Sequence, residues 1–247
     1  MITQKDINQI DINNTGERIL LDKESPLMIA RHFCAYKFAK DSVQDKEVLD
    51  IGCGEGYGAD YLANYAKNVQ GIDYDQGVIA YAKNKYKKNN LNFAVLDIKN
   101  LDSIRKQFDI ICSFQNIEHI KETDKLLNNI CKLLTENGVF ICSTCNMKDA
   151  SPGRSTPFNR FHVKEYLIDE FKLMLRQYFS QVDIFGLNRG IKLKIFRRLK
   201  KTGLFKFLPH QLNFVDKFFD QASCENFFWS KDRLGDSLDF IAVCRRK

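Results

Sequence analysis

A chain of 247 residues, 44% of them hydrophobic, is long enough to bury a substantial core as one large domain or a domain with an elaboration, which excludes a disordered or peptide-sized protein. No window approaches the ~18 uninterrupted apolar residues of a spanning helix, and residues 1–14 lack the apolar centre of a signal peptide, so a cytoplasmic location is expected. The net charge of +7 is unevenly spread, because residues 188–211 hold eight basic side chains and no acid.

Taken in order, residues 1–14 are polar, without a period, and read as an arm. Thr15-Gly16-Glu17-Arg18 precedes a helical pattern over 26–40, with Pro26 in the first turn and Leu27, Ala30, Phe33, Cys34 and Phe38 on one side. Val48-Leu49-Asp50-Ile51 then runs into Gly52-Cys53-Gly54-Glu55-Gly56-Tyr57-Gly58 and a helical stretch to residue 66, the pattern of strand, glycine turn and helix. Glycine is required where φ is positive or where a ligand lies against the main chain, and Gly52, Gly54 and Gly56 meet that need. The helix start adds unpaired N–H groups and a positive dipole end, which suits a nucleotide-like molecule. Strand 69–73 ends in Asp73, where a carboxylate accepts hydrogen bonds from ribose hydroxyls. The dinucleotide fingerprint would place a glycine at 57, where Tyr57 stands, so hydride transfer is disfavoured.

Helix 75–87, strands 91–96 and 108–114, helix 122–134 and strand 138–143 follow. Strands alternating with helices at this spacing predict right-handed βαβ units, a parallel sheet covered on both faces and a ligand at the strands' carboxyl ends. Residues 146–161 read as a ligand-side loop, followed by a helix to 178 and a strand at 181–185. The last strand, 237–244, comes after a connection of about 50 residues, far longer than the usual few. That connection carries the basic segment and reads as an inserted subdomain with substrate or assembly duties. The eight cysteines are read as thiols. Cys142-Ser143-Thr144-Cys145 spells C-x-x-C but has no second pair to complete a zinc site.

In this order the motifs resemble those of class I S-adenosylmethionine-dependent methyltransferases of the broad type 11 kind. The matching segments are the glycine turn, Asp73, Val95-Leu96-Asp97-Ile98, the fourth strand with its Glu118-His119-Ile120 ending, the turn before the fifth strand, and Phe161-His162-Val163-Lys164-Glu165-Tyr166. The resemblance implies a doubly wound, mostly parallel seven-stranded α/β sheet with an antiparallel last strand and an insertion before it. It divides the chain into an arm and cap helix (1–45), a cofactor-binding core (46–186), a basic insertion or substrate lid (187–236) and the last core strand (237–247). It implies S-adenosyl-L-methionine as cofactor and no metal, with cofactor contacts at Asp50, Gly52, Cys53, Gly54, Gly56, Asp73, Tyr74, Asp97, Ile98 and Gln115. Arg18 and Arg31 stand in a lead-in that resembles the cap segment closing the cofactor pocket; that resemblance makes them candidates to meet a carboxylate of cofactor or substrate, and without it they are plain surface charges.

Transfer to a hydroxyl calls for a base near the methyl group. Of four histidines, His119 lies just past the fourth strand and His162 follows the ligand-side loop, so these two are the catalytic candidates; Glu118 is a candidate to orient the cofactor or His119. Gln115-Asn116-Ile117 departs from the Asn/Asp-Pro-Pro-Tyr pattern of nucleobase amino-methyltransferases. The reading is O-methylation of a small molecule or glycan, as in relatives from surface-polysaccharide or natural-product pathways. The alternative is an RNA methyltransferase using the basic insertion, since a positive stripe attracts phosphate backbones. Ile191, Ile195, Leu199, Leu204, Phe205 and Leu208 interleave with its basic residues, a pattern that also fits contact with an anionic membrane or a lipid-linked substrate, or plain packing.

Overall fold

The computed structural model describes residues 20–205 and 207–246; the arm and the Thr15 to Arg18 lead-in lie outside them. Helix α1 (Pro26–Ala39) starts where Ser25 accepts the Met28 N–H and proline takes the first helical position, both strong start signals. There follow β1 (Glu47–Ile51), α2 (Tyr57–Leu62), β2 (Asn68–Asp73), α3 (Gln76–Lys85), β3 (Leu91–Val95), β4 (Phe108–Phe114), α4 (Thr123–Leu133) and β5 (Leu134–Cys145). The chain continues as α5 (Met147–Ala150), α6 (Ile168–Arg176), β6 (Phe179–Arg189), α7 (Ile191–Thr202), α8 (Phe214–Asp220), β7 (Phe227–Ser230) and β8 (Asp239–Arg246).

One sheet orders these strands β3-β2-β1-β4-β5-β8-β6-β7. The first five are parallel, and β8 runs antiparallel between β5 and β6. Alternate residues of the central strands serve opposite faces, as the two-residue strand period demands. Leu49, Ile51, Ile111 and Phe140 meet α4 and α6 on one face, while Val48, Ile110, Cys112 and Ile141 meet α1, α2 and α3 on the other. All eight cysteines are thiols, six of them buried.

Among the described residues the sheet has eight strands, not the seven expected. The extra one is β7, which lies inside the anticipated insertion and pairs antiparallel with Gly186–Arg189 of β6. β6 is correspondingly longer than the 181–185 read from the sequence. The insertion also has its own apolar cluster, in which Leu193, Leu187 and Phe227 pack on Ala30 and Cys34 of α1. The turn before the fifth strand is an irregularity inside β5: Leu134 pairs with Phe108 and Val139 with Ile110.

Candidate active site

The carboxyl ends of β1, β2, β4 and β5 open into a cleft of about 1060 Å³. At one end, the turn after β1 places Gly52, Gly54 and Gly56 at φ of 74°, 53° and 85°, values that disfavour any residue with a Cβ. Their surroundings differ. Among the described residues a Cβ at Gly54 would meet nothing within 4 Å, whereas one at Gly56 would lie 2.7 Å from the Phe93 ring and 2.9 Å from the Ala82 methyl. Gly54 therefore leaves room for a ligand, and Gly56 lets α2 and α3 close over β3. The loop is tied to the next strand, because the Gly54 N–H donates to Asp73 Oδ2 at 3.1 Å and the Asp75 N–H to Oδ1 at 3.0 Å.

Gly52, Cys53, Gly54, Asp73, Tyr74, Asp97, Ile98 and Gln115 line the cleft. Asp50 and Gly56, expected among the contacts, do not. Gly56 is a packing position, as described. Asp50 lies fully buried beneath the turn, with one oxygen accepting the Tyr36 hydroxyl at 3.1 Å and the other without a hydrogen bond among the described residues. Burial, with a smaller contribution from Asp73, pushes its pKa up to about 7. Tyr36, which the sequence reading passed over, takes the space that a Cβ at Gly58 would fill; the fourth glycine of the run was the available signal.

At the other end, β4 hands over to Gln115, a non-glycine residue at φ 50° whose N–H donates to the Ser143 carbonyl at 3.0 Å. Such backbone strain concentrates at functional sites. Glu118 follows. Its carbonyl accepts the Val163 and Lys164 N–H groups at 2.7 and 3.1 Å, which draws the ligand-side loop across the cleft and brings the His119 and His162 rings edge to face, 4.9 Å apart.

The hydrogen bonds distinguish these two histidines. His119 Nδ1 lies 3.0 Å from the Phe161 carbonyl oxygen; a carbonyl only accepts, so Nδ1 carries the hydrogen and Nε2 is the basic nitrogen. His162 is held at both nitrogens. Asn159 uses its Oδ1 to accept the Phe161 N–H, which turns its amide NH₂ toward His162 Nε2 at 3.0 Å, while Nδ1 donates to Glu165 Oε1 at 2.7 Å.

The Glu118 side chain is buried and accepts the Thr144 hydroxyl at 3.0 Å. Burial raises its pKa to about 8, so near neutral pH it is mostly a neutral acid. The donor atoms of Glu118, Cys145 and His162 lie within 4.8 Å of one another, placing the second cysteine of the C-x-x-C at the cleft and the first in the core. His32, given no role in the sequence reading, also lines the cleft, and burial lowers its pKa to about 4. Arg31 reaches the cleft wall but is engaged by the protein: Nε and one terminal nitrogen each donate to Asp239 at 2.7 Å, and that nitrogen also reaches the Leu238 carbonyl. Arg18 lies outside the described residues.

Comparison with known proteins agrees with this geometry. A family described as a methyltransferase domain matches residues 42–172. The chain is similar to the "probable S-adenosylmethionine-dependent methyltransferase" of Mycolicibacterium smegmatis, 33% identical over 181 residues that cover 72% of this chain and 70% of that protein. It is 32% identical over 107 residues to a ubiquinone biosynthesis O-methyltransferase of Coxiella burnetii, covering 42% and 46% of the two chains. Among solved structures, the N-methyltransferase NodS of Bradyrhizobium japonicum with S-adenosyl-L-homocysteine superposes with a TM-score of 0.61 at 16% identity, covering 100% of this chain and 99% of that one. At that identity the likeness is one of fold. The space over Gly54 fits the amino acid end of such a cofactor, and the buried acid at the end of β2 fits its nucleoside end.

Proposed function

Because the chain belongs to the S-adenosylmethionine-dependent methyltransferases, we propose that it O-methylates a small-molecule or glycan hydroxyl, with His119 as the base that takes the hydroxyl proton. The bound cofactor supplies a methyl group on a positively charged sulfur, which leaves as a neutral thioether. The chain's own residues have two tasks. The first is alignment, which is worth up to about 7–11 kcal/mol when two reactants are held in line. Gly54 admits the cofactor against the main chain, Gly52 makes room for the Asn116 side chain beside it, and Asp73, Asp97 and Ile98 bound the cofactor's nucleoside end. The second task is the proton: a hydroxyl is weakly acidic, and removing its proton during attack adds roughly 10² to 10⁴ in rate.

The observation that carries this reading is the bond from His119 Nδ1 to the Phe161 carbonyl, which leaves the basic nitrogen in the form a proton acceptor needs. His162, held by Asn159 and Glu165, acts as a positioning residue that braces the His119 ring. Support for oxygen as the acceptor also comes from the similarity to a protein named as an O-methyltransferase.

The test uses S-adenosylmethionine labelled in its methyl group with a panel of phenols, catechols and sugars, beside matched amines. His119→Ala should lower kcat on the accepted hydroxyl by roughly 10² or more and abolish the acid limb of the pH profile, with calorimetric affinity for S-adenosylhomocysteine unchanged. His162→Ala should lose less and keep that limb. Full rate in His119→Ala, or transfer to amines alone, overturns the proposal.

A further inference from the structure

The insertion carries two features that the methyl-transfer site does not use, an uncompensated positive charge and an outward apolar surface. Helix α7 spans Ile191–Thr202, and Gly203 ends it at φ 72° in the left-handed conformation. Its inner side is accounted for: Leu193 is fully buried in the insertion's cluster, and Phe196 stacks on Phe218 at 4.0 Å. At 3.6 residues per turn, Ile191, Ile195 and Thr202 share the opposite side, flanked by Lys194, Arg198 and Lys201. Ile191 is 78% exposed, and after the helix Leu204 is 74%, Phe207 94% and Leu212 68% exposed. A helix of a soluble domain needs one apolar side facing the core, and here a second faces solvent.

The charges divide in the same way. Arg189 is paired with Asp149 at 3.1 Å and Lys200 with Asp216 at 3.3 Å, and Arg197 is half-buried. Lys192, Lys194, Arg198 and Lys201 are exposed and have no ion pair among the described residues.

We infer that this face docks on an anionic lipid surface, with Ile191, Ile195, Leu204, Phe207 and Leu212 entering the headgroup boundary and the four exposed cations meeting lipid phosphates. Membrane-surface helices combine an apolar side with flanking Lys and Arg in this way, and juxtamembrane basic clusters are drawn to anionic leaflets. Among the described residues no helix is long and apolar enough to cross a membrane, so the contact is peripheral. A second copy of the chain fits less well. A two-fold contact sets the same patch against itself and would oppose like charges. Nucleic acid fits the charge but not the exposed aliphatic side chains, which have no role against phosphates or base edges. The inference deepens the proposed function, on which it rests only for the consequence that acceptors bearing a lipid chain would meet the cleft at that surface. The docking itself is independent of the chemistry.

The experiment is sedimentation of the purified full chain with vesicles of phosphatidylcholine alone and of phosphatidylcholine with phosphatidylglycerol, with no methyl acceptor present. Binding is expected to the anionic vesicles only, and to fall at least tenfold as the Debye length shrinks from ~10 Å at 0.1 M salt to ~3 Å at 1 M. Lys192, Lys194, Arg198 and Lys201 changed together to Gln should abolish it at low salt. Phe207→Ser with Leu212→Ser, at unchanged charge, should weaken it severalfold. Both variants should keep the wild-type affinity for S-adenosylhomocysteine. The inference is overturned if the folded protein ignores anionic vesicles at low salt, binds neutral vesicles equally, loses a dimer in Phe207→Ser by analytical ultracentrifugation, or binds RNA but no vesicle. Each of these outcomes leaves the His119 assay standing, so the two proposals fail separately.

Discussion

Two glycines two positions apart in the same turn should fail in different ways when each is changed to alanine. Both have positive φ, Gly54 at 53° and Gly56 at 85°, so each variant bears the left-handed penalty of about 1–2 kcal/mol. For Gly54 no packing cost adds to this, since among the described residues a Cβ there meets nothing within 4 Å. For Gly56 the new methyl would sit 2.7 Å from Phe93 and 2.9 Å from the Ala82 Cβ, both buried. Overpacking of that kind adds about 1–3 kcal/mol. At roughly 2–4 °C per kcal/mol for a chain of this size, Gly56→Ala should melt roughly 2–12 °C below Gly54→Ala. Binding should rank them the other way. The Gly54 methyl enters the cleft where the cofactor must lie, and a clash of only about 1.4 kcal/mol is a tenfold loss of affinity. Differential scanning fluorimetry without ligand and calorimetry with S-adenosylhomocysteine provide the two readouts. Equal melting temperatures, or wild-type affinity in Gly54→Ala, would refute the division of roles between the two glycines.

Arg31→Ala should be costly even though Arg31 borders the cleft, because it strips both donors from Asp239, whose side chain is 4% exposed. An uncompensated buried carboxylate costs about 3–5 kcal/mol, a fall of roughly 6–20 °C in Tm; a fall under about 2 °C would show that water replaces the pair. Glu118 gives a pH signature. Burial lifts it from 4.5 to about 8, so between those values the folded chain holds a proton that the unfolded chain has released. Its contribution to stability is full below the lower value, declines as pH rises through the window, and levels off above about 8. Glu118→Gln keeps an acceptor for Thr144 and has no proton to lose. Its Tm should gain on the wild type steadily as pH rises from about 5 to about 8, and a gap that does not change with pH would contradict the buried neutral acid.

What was legible in the sequence is what local geometry dictates. Strand β1, the turn at Gly52 and Gly54, and Asp73 at the end of β2 follow from apolar period, positive φ and chain spacing, and they lie where the sequence placed them. Gly56 shows where this stops: its conformation was legible, but its reason is Phe93 on β3 and Ala82 on α3, which no spacing within the turn can name. Strand β7 was hidden for a different cause. Its four residues are too few for a two-residue period, and it forms only because β6 extends to Arg189 and offers an edge. The pairing of His119 with His162 rests on Val163 and Lys164 donating to the Glu118 carbonyl, a contact between distant segments. Both histidines were candidates from the sequence, but the proposed choice of His119 rests on the partners of each ring nitrogen, of which Phe161 lies in a distant segment, and these could not be read from it.

The basic segment, too, separates only in three dimensions. By sequence it is a run of eight cations, but among the described residues they separate into those engaged by the fold, such as Arg189 and Lys200, and those without an ion pair. Arg189 sits at the root of the insertion and bonds Asp149; Asp149 approaches Arg31 at 3.8 Å, and Arg31 holds Asp239 at the start of β8. This chain of alternating charges joins the insertion, the ligand-side loop after β5 and the cleft wall, so the insertion is built into the site it borders. Helix α1 makes the same connection through packing. It gives Ala30 and Cys34 to the insertion's cluster, Arg31 and His32 to the cleft, and Tyr36 to the underside of the glycine turn. Lys192, Lys194, Arg198 and Lys201 take no part in that network. With no ion pair among the described residues, these four are the ones to neutralise without disturbing the cleft, whereas Arg189 bonds Asp149. A charge-removal experiment that included Arg189 or Lys200 would therefore confound surface docking with loss of the fold.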